Sequence, residues 1–215
     1  MIRTEAVPFN DFQVNTYLVW DETQECLVVD PAFYSRDEQE SFLSLISDMG
    51  LKVTGQINTH CHVDHILGVD FMKSQFDAPI RAHPEEDPII KNASLMGDLF
   101  GWNVKPIDGI DVLLQEGEMI PVGKHHLEII HVPGHSPGSV ALYSNEGAFV
   151  ITGDALFKGS IGRTDLPGGD YDTLISSIGK KLLILPPETQ VYPGHGPSSI
   201  IEYEKRENPF LREIK

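Results

Sequence analysis

Along this chain, short runs of β-branched and aromatic residues take turns with segments whose apolar positions recur at helical spacing. Strand character marks residues 16–19, 26–29, 56–59, 80–82, 127–132, 140–143, 149–152 and 190–192. Ser35 and Glu38 form a capping-box pair ahead of Phe42, Leu45, Ile46 and Met49, and Gly50 is placed to end that helix. A second helix is expected over about 66–76. A third should follow Asp170, where Leu174, Ile175, Ile178 and Leu182 share one face. A fourth should begin near Ser199, with Glu202 as its capping partner. Asn145-Glu146-Gly147 reads as a hairpin turn. Hairpin and strand–helix–strand orders occur together, which predicts a mixed α/β architecture with helices over the sheet faces. No repeat, low-complexity tract or linker interrupts the pattern, so residues 1–215 read as one domain.

Composition narrows the function classes. The chain carries 16 basic and 32 acidic side chains, a formal charge of -16, with 10 Phe, 6 Tyr and 2 Trp. That is globular rather than disordered composition. The acidic surplus would repel phosphates, which argues against a nucleic-acid or anionic-membrane partner. No apolar run approaches the roughly 20 residues of a membrane span. The start, MIRTEAVPFNDF, lacks the apolar stretch of a secretory leader, and only Cys26 and Cys61 occur. A reducing cytoplasm is the expected location.

Candidate chemistry sits where strand runs end. Residues 56–59 lead into His60-Cys61-His62-Val63-Asp64-His65. Residues 127–132 lead through Pro133-Gly134 to His135, and 190–192 through Pro193-Gly194 to His195. Residues 149–152 lead through Gly153 to a carboxylate, Asp154. Glycine turns on rigid strand ends suit metal sites, because the backbone can approach closely. In extended backbone, residues two apart face the same way, so His60 and His62 can reach one ion while Cys61 points away. Asp64 and His65 offer donors to a neighbouring position. Five His and two Asp exceed what one tetrahedral ion can use, and a pair of ions sharing a bridging carboxylate accounts for the excess. Imidazole and carboxylate suit Zn, Fe or Mn. His83, His125, His126 and His131 read as surface or packing residues, and the two cysteines as small packing residues.

In these motifs the chain resembles the metallo-β-lactamase superfamily, and within it the glyoxalase-II-like hydrolases. The likeness rests on Asn15-Thr16-Tyr17-Leu18, Val28-Val29-Asp30-Pro31, 59–65, 133–138, Gly153-Asp154, Gly162-Arg163-Thr164-Asp165 and Pro193-Gly194-His195-Gly196. It implies a four-layer αββα sandwich with two divalent ions at one edge, zinc first, Fe or Mn as alternatives. By that resemblance His60, His62 and His135 hold the first ion, and Asp64, His65 and His195 the second, with Asp154 bridging. Asp30 would support the histidine loop from behind. Asp64 would also orient a metal-bridging hydroxide, generated because two cations lower the pKa of a shared water.

The implied reaction is hydrolysis of a small-molecule thioester such as S-lactoylglutathione. The runner-up is a mononuclear iron persulfide dioxygenase, whose motifs resemble Gly162-Arg163-Thr164-Asp165-Leu166-Pro167-Gly168-Gly169. A metal-binding module without catalysis is a minor alternative. Lactam hydrolysis is not expected, since β-lactamases of this fold commonly carry Cys where Asp154 stands. Arg163, Lys205 and Arg206 are the basic residues considered for a substrate carboxylate. Glyoxalase II carries a further helical region, whereas 20 residues follow His195 here, so the chain resembles a short single-domain branch.

Overall fold

In the computed structural model, which describes residues 1–212, two sheets are built in turn from the two halves of the chain. β1 (Arg3–Phe9), β2 (Val14–Trp20) and β3 (Glu25–Val29) form an antiparallel meander. Helix α1 (Arg36–Asp48) returns the chain so that β4 (Lys52–Ile57) pairs parallel to β3. The expected capping box on α1 is complete, with the Ser35 side chain accepting from Glu38 N–H and the Glu38 side chain accepting from Ser35 N–H. A single 3₁₀ turn (Val63–His65) precedes α2 (Val69–Phe76), which starts three residues later than the pattern suggested. Gly68 takes its cap position and donates to the Pro31 carbonyl. β5 (Arg81–Ala82), α3 (Asp87–Lys91), α4 (Ala93–Phe100) and β6 (Val112–Leu113) follow.

The second sheet begins with β7 (Met119–Val122), β8 (His125–His131), β9 (Val140–Ser144) and β10 (Phe149–Gly153), an antiparallel series with the expected turn before Phe149. A small hairpin, β11 (Leu156–Phe157) and β12 (Ser160–Ile161), leads to α5 (Tyr171–Ser177), which continues as a π-helical turn, Ile178–Leu182. β13 (Gln190–Pro193) then pairs parallel to β10, followed by β14 (Ser199–Ile200) and α6 (Ile201–Glu207). The expected Ser199–Glu202 cap is not formed. Ser199 is still paired to Val191 in the sheet, and its hydroxyl donates to the Glu204 carboxylate instead.

Alternation along the strands builds the layers. Tyr17, Val19, Leu27, Val29 and Ile57 face Leu127, Ile129, Val140, Leu142, Phe149 and Ile151 across the space between the sheets. Leu18, Trp20, Cys26 and Val28 point the other way, under Phe42 and Ile46 of α1 and Met72 of α2. Ala141, Tyr143, Val150 and Val191 likewise lie under Leu174, Ile178, Leu182 and Ile201. The result is the expected αββα sandwich. Both faces of the central strands are covered, which is why they read as continuous apolar runs. β3 and β4 are parallel to one another, as are β8, β10 and β13, and the turns after these five strands meet at one edge.

Candidate metal centre

Those five turns deliver Asp30, residues 60–65, His135, Asp154 and His195. Two positions there need glycine. Gly153 sits at φ +49, where a Cβ would also collide with Thr59. A Cβ on Gly194 would fall on Asp154 Oδ1 and on the His65 ring. With the backbone that close, ring nitrogens converge in two sets. His60 Nε2 and His62 Nδ1 lie 3.3 and 2.8 Å from His135 Nε2. His65 Nε2 lies 3.3 Å from His195 Nε2, and Asp64 Oδ2 is 3.8 and 3.4 Å from those two nitrogens. Asp154 stands between the sets, with Oδ1 3.4 Å from His65 Nε2 and Oδ2 3.5 and 3.8 Å from His195 and His135. Cys61 points away into the apolar cluster with Ile66, Val69 and Ile80.

The outer nitrogens reveal what the inner ones can do. His135 Nδ1 lies 2.8 Å from the Arg163 carbonyl, His195 Nδ1 2.9 Å from the Phe12 carbonyl, and His65 Nδ1 3.1 Å from Asp30 Oδ2. These partners only accept, so each Nδ1 carries a proton and each inward Nε2 is the nitrogen that a metal can take once it bears no proton of its own. Thr59 Oγ1 donates to Asp30 Oδ2 at 2.6 Å and is left to accept from His60 Nδ1 at 3.1 Å, which exposes the His60 Nε2 lone pair too. Lone pairs about 3 Å apart repel unless a cation lies among them. Asp154 Oδ1 is buried without a hydrogen-bond partner. Both facts fit divalent ions, and the nitrogen–carboxylate donor set suits borderline metals.

Charge divides the two sets. Burial, reinforced by His135 and other neighbouring rings, holds His60 well below the usual imidazole range and His62 at about 4. Burial likewise lowers His135. Burial opposes protonation of His195 as well, but its bonds to Asp154 and Asp64 outweigh that and push it up to about 9. His65 moves upward for the same reason, with the Asp154 charge the leading opponent of burial. Burial alone would raise Asp154 and Asp64, but the facing histidines hold both below the usual carboxylate range. The first set is thus neutral nitrogen, whereas in the second two ionised carboxylates face two imidazoles whose protonated form they favour.

The Metallo-beta-lactamase superfamily model matches residues 9–195. The chain belongs to that superfamily. It is 40% identical to "Probable metallo-hydrolase YqgX" of Bacillus subtilis and 36% identical to "Hydroxyacylglutathione hydrolase GloC" of Haemophilus influenzae, each match covering 98% of both chains. Among solved structures, the B3 metallo-beta-lactamase BLEG-1 superposes with a TM-score of 0.88 at 34% identity, covering 98% of this chain and all of that one. TTHA1623, in a di-iron-bound form, gives 0.86 at 40% identity over 96% of this chain and all of that one. Both curated relatives are named as hydrolases, one of them a metallo-hydrolase, and the chain is a metal-dependent hydrolase of that superfamily.

The run Asn15-Thr16-Tyr17-Leu18 has a physical role here. Asn15 Nδ2 donates to the Pro193 and Gly196 carbonyls and Tyr17 Oη to Pro193, fixing the turn that presents His195. Thr16 Oγ1 donates to the Asp30 carbonyl and accepts from Ala32 N–H, fixing the Asp30 turn. Over the centre lies a cavity of about 240 Å³, walled on one side by Ile89, Ala93, Met96 and Phe100 of α3 and α4. None of the helices expected from the sequence covers 87–100, where Pro84 and Pro88 enclose the acidic run Glu85-Glu86-Asp87. Arg163 lines the cavity too, but its guanidinium grips Asp165 with two bonds of 2.7 and 2.8 Å. Its contribution to the centre is the carbonyl that orients His135. Lys205 and Arg206 lie on exposed faces of α6, away from the cavity lining, and Arg206 bonds Glu207. A separate group, His83, Glu85 and His131, stacks its two rings 4.0 Å apart with only 13° between planes. In-plane lone pairs of parallel rings cannot meet at one ion. No helix among the described residues is long and apolar enough to cross a membrane.

Proposed function

We propose that the protein is a dinuclear thioesterase that hydrolyses S-acyl conjugates of small thiols, with S-lactoylglutathione as the reference substrate. The observation that carries this reading is the pair of donor sets joined through Asp154 beneath a largely apolar cavity. His60, His62 and His135 would hold one divalent ion, Asp64, His65 and His195 the other, and Asp154 would serve both. Zinc is the first candidate, with iron or manganese as alternatives. Bound there, the ions supply Lewis acidity and an acidified water at neutral pH. Asp64, at the floor of the cavity, accepts a hydrogen bond from the attacking water and so sets its direction. Asp30, Thr59 and the Phe12 and Arg163 carbonyls keep protons on the outer nitrogens, so the rings cannot turn away. The apolar wall excludes bulk water from the acyl group. Water adds to the thioester carbonyl, the C–S bond breaks, and a carboxylic acid and a thiol leave. The similarity to GloC supports the thioester class, and the two free cysteines support the cytoplasmic location proposed with it.

The test is thiol release from S-D-lactoylglutathione by zinc-loaded protein. Turnover of about 1–1,000 per second is expected. Absence of thiol release, together with oxygen consumption by the iron-loaded protein on a glutathione persulfide, would overturn the proposal in favour of the dioxygenase.

A further inference from the structure

Glu86 ends the short turn Pro84–Glu86, is 0% exposed, and lies outside every ligand set described above. A buried acidic side chain needs partners, and this one has three. Its Oε2 accepts from Cys61 N–H at 2.7 Å. Its Oε1 accepts from Gly138 N–H and from Ser136 Oγ–H, each at 2.7 Å. Cys61 lies between His60 and His62, and Ser136 directly follows His135. One carboxylate therefore ties together the two turns that present all three histidines of the first set. Gly138 lets it come that close, since a Cβ there would meet Glu86 Cγ at 2.8 Å. Burial pushes the Glu86 carboxyl up, against the three bonds that favour its ionised form.

We infer that Glu86 is a positioning residue for the trihistidine half of the centre, clamping the 60–62 and 135–138 turns in the spacing that lets His60, His62 and His135 share one ion. The inference rests on the metal-centre reading above. Glutamine is the informative replacement. Cys61 N–H and Gly138 N–H are fixed donors on opposite oxygens, so the amide NH₂ of Glu86→Gln must confront one of them.

The experiment is Co²⁺ titration of the metal-free protein, read by visible absorption with competition from a chelator, beside near-UV circular dichroism. Binding of two ions by the wild-type chain tests the metal-centre reading by itself. Glu86→Gln should keep the near-UV spectrum yet weaken one of the two ions by about 10–100-fold, the range for lost ligand-supporting contacts. Ser136→Ala, which removes only one of the three donors, should weaken that same ion by a smaller factor. Wild-type affinity for both ions in Glu86→Gln would overturn the inference, as would equal weakening of both. Should Glu86→Gln not fold, Ser136→Ala decides: unchanged binding, equal weakening of both ions or loss of folding would each reduce Glu86 to general scaffolding.

Discussion

Replacing Asp30 by asparagine tests whether ring tautomers are held from behind. Asp30 Oδ1 accepts from Thr59 N–H at 2.7 Å, while Oδ2 accepts from Thr59 Oγ1 at 2.6 Å and His65 Nδ1 at 3.1 Å. Asparagine has the same shape but one acceptor oxygen. Thr59 N–H is a fixed donor and claims that oxygen, so the new NH₂ faces His65 Nδ1. The ring escapes a donor–donor clash by moving its proton to Nε2, the atom the second set needs bare. A charge-assisted bond is worth about 1.5–3 kcal/mol, which corresponds to a roughly tenfold to hundredfold loss of affinity for that ion. Thr59→Val supplies the contrast. It keeps the Asp30–His65 bond but strips the acceptor from His60 Nδ1, so roughly tenfold weakening should appear at the first set only. Chelator competition with Zn²⁺, resolved into two binding steps, measures both variants against thermal melts of the metal-free proteins. Normal two-step binding by Asp30→Asn would refute the tautomer argument. So would Thr59→Val losses shared equally between the steps.

Four further outcomes follow from the same geometry. Asp154→Ala should abolish thiol release and bring bound metal below two ions per chain by elemental analysis; full activity would remove Asp154 from its bridging place. Gly194→Ala should fold but lose the second ion, because its methyl occupies the space of Asp154 Oδ1 and the His65 ring. Arg163→Ala should keep its metal, since the carbonyl on His135 remains, and change kcat/KM by less than about fivefold, as for loss of an exposed ion pair; a tenfold rise in KM would make the guanidinium a substrate contact. Burial raises Glu38, but N–H groups of Ser35, Tyr34 and Asn10 outweigh it and lower its carboxyl. Its stabilisation is therefore present above the unfolded value of about 4.3 and lost as pH falls through the lower folded value. The melting-temperature gap between wild type and Glu38→Gln should be full at pH 7 and close in acid, and a gap independent of pH would contradict this.

Much of the site was legible because its information is local. His60 and His62 sit two apart in extended chain, and His135 and His195 follow matching Pro-Gly turns, so residue type and spacing alone marked them as candidate ligands, and the fold brings them together. The buried strands were legible for the same reason, since residues such as Val28, Leu142 and Val150 are apolar whichever face they cover. What escaped was decided by partners far along the chain. The proton on His195 Nδ1 depends on the carbonyl of Phe12, 183 residues away, and that on His65 on Asp30. Glu86 stands in a short acidic run between two prolines, and only the docking of its turn against the 60–62 and 135–138 turns buries it. Residue type left Arg163 open between a substrate contact and an ion pair, and only the fold sets its guanidinium on Asp165 and keeps Lys205 and Arg206 out of the cavity lining. Sequence by itself determined which side chains can hold metal and where the strands run, because both depend on neighbours within a few residues. Tertiary structure alone decided which nitrogen of each ring points inward, what clamps the turns and what walls the cavity, because those depend on hydrogen bonds and contacts that exist only once the two sheets have packed.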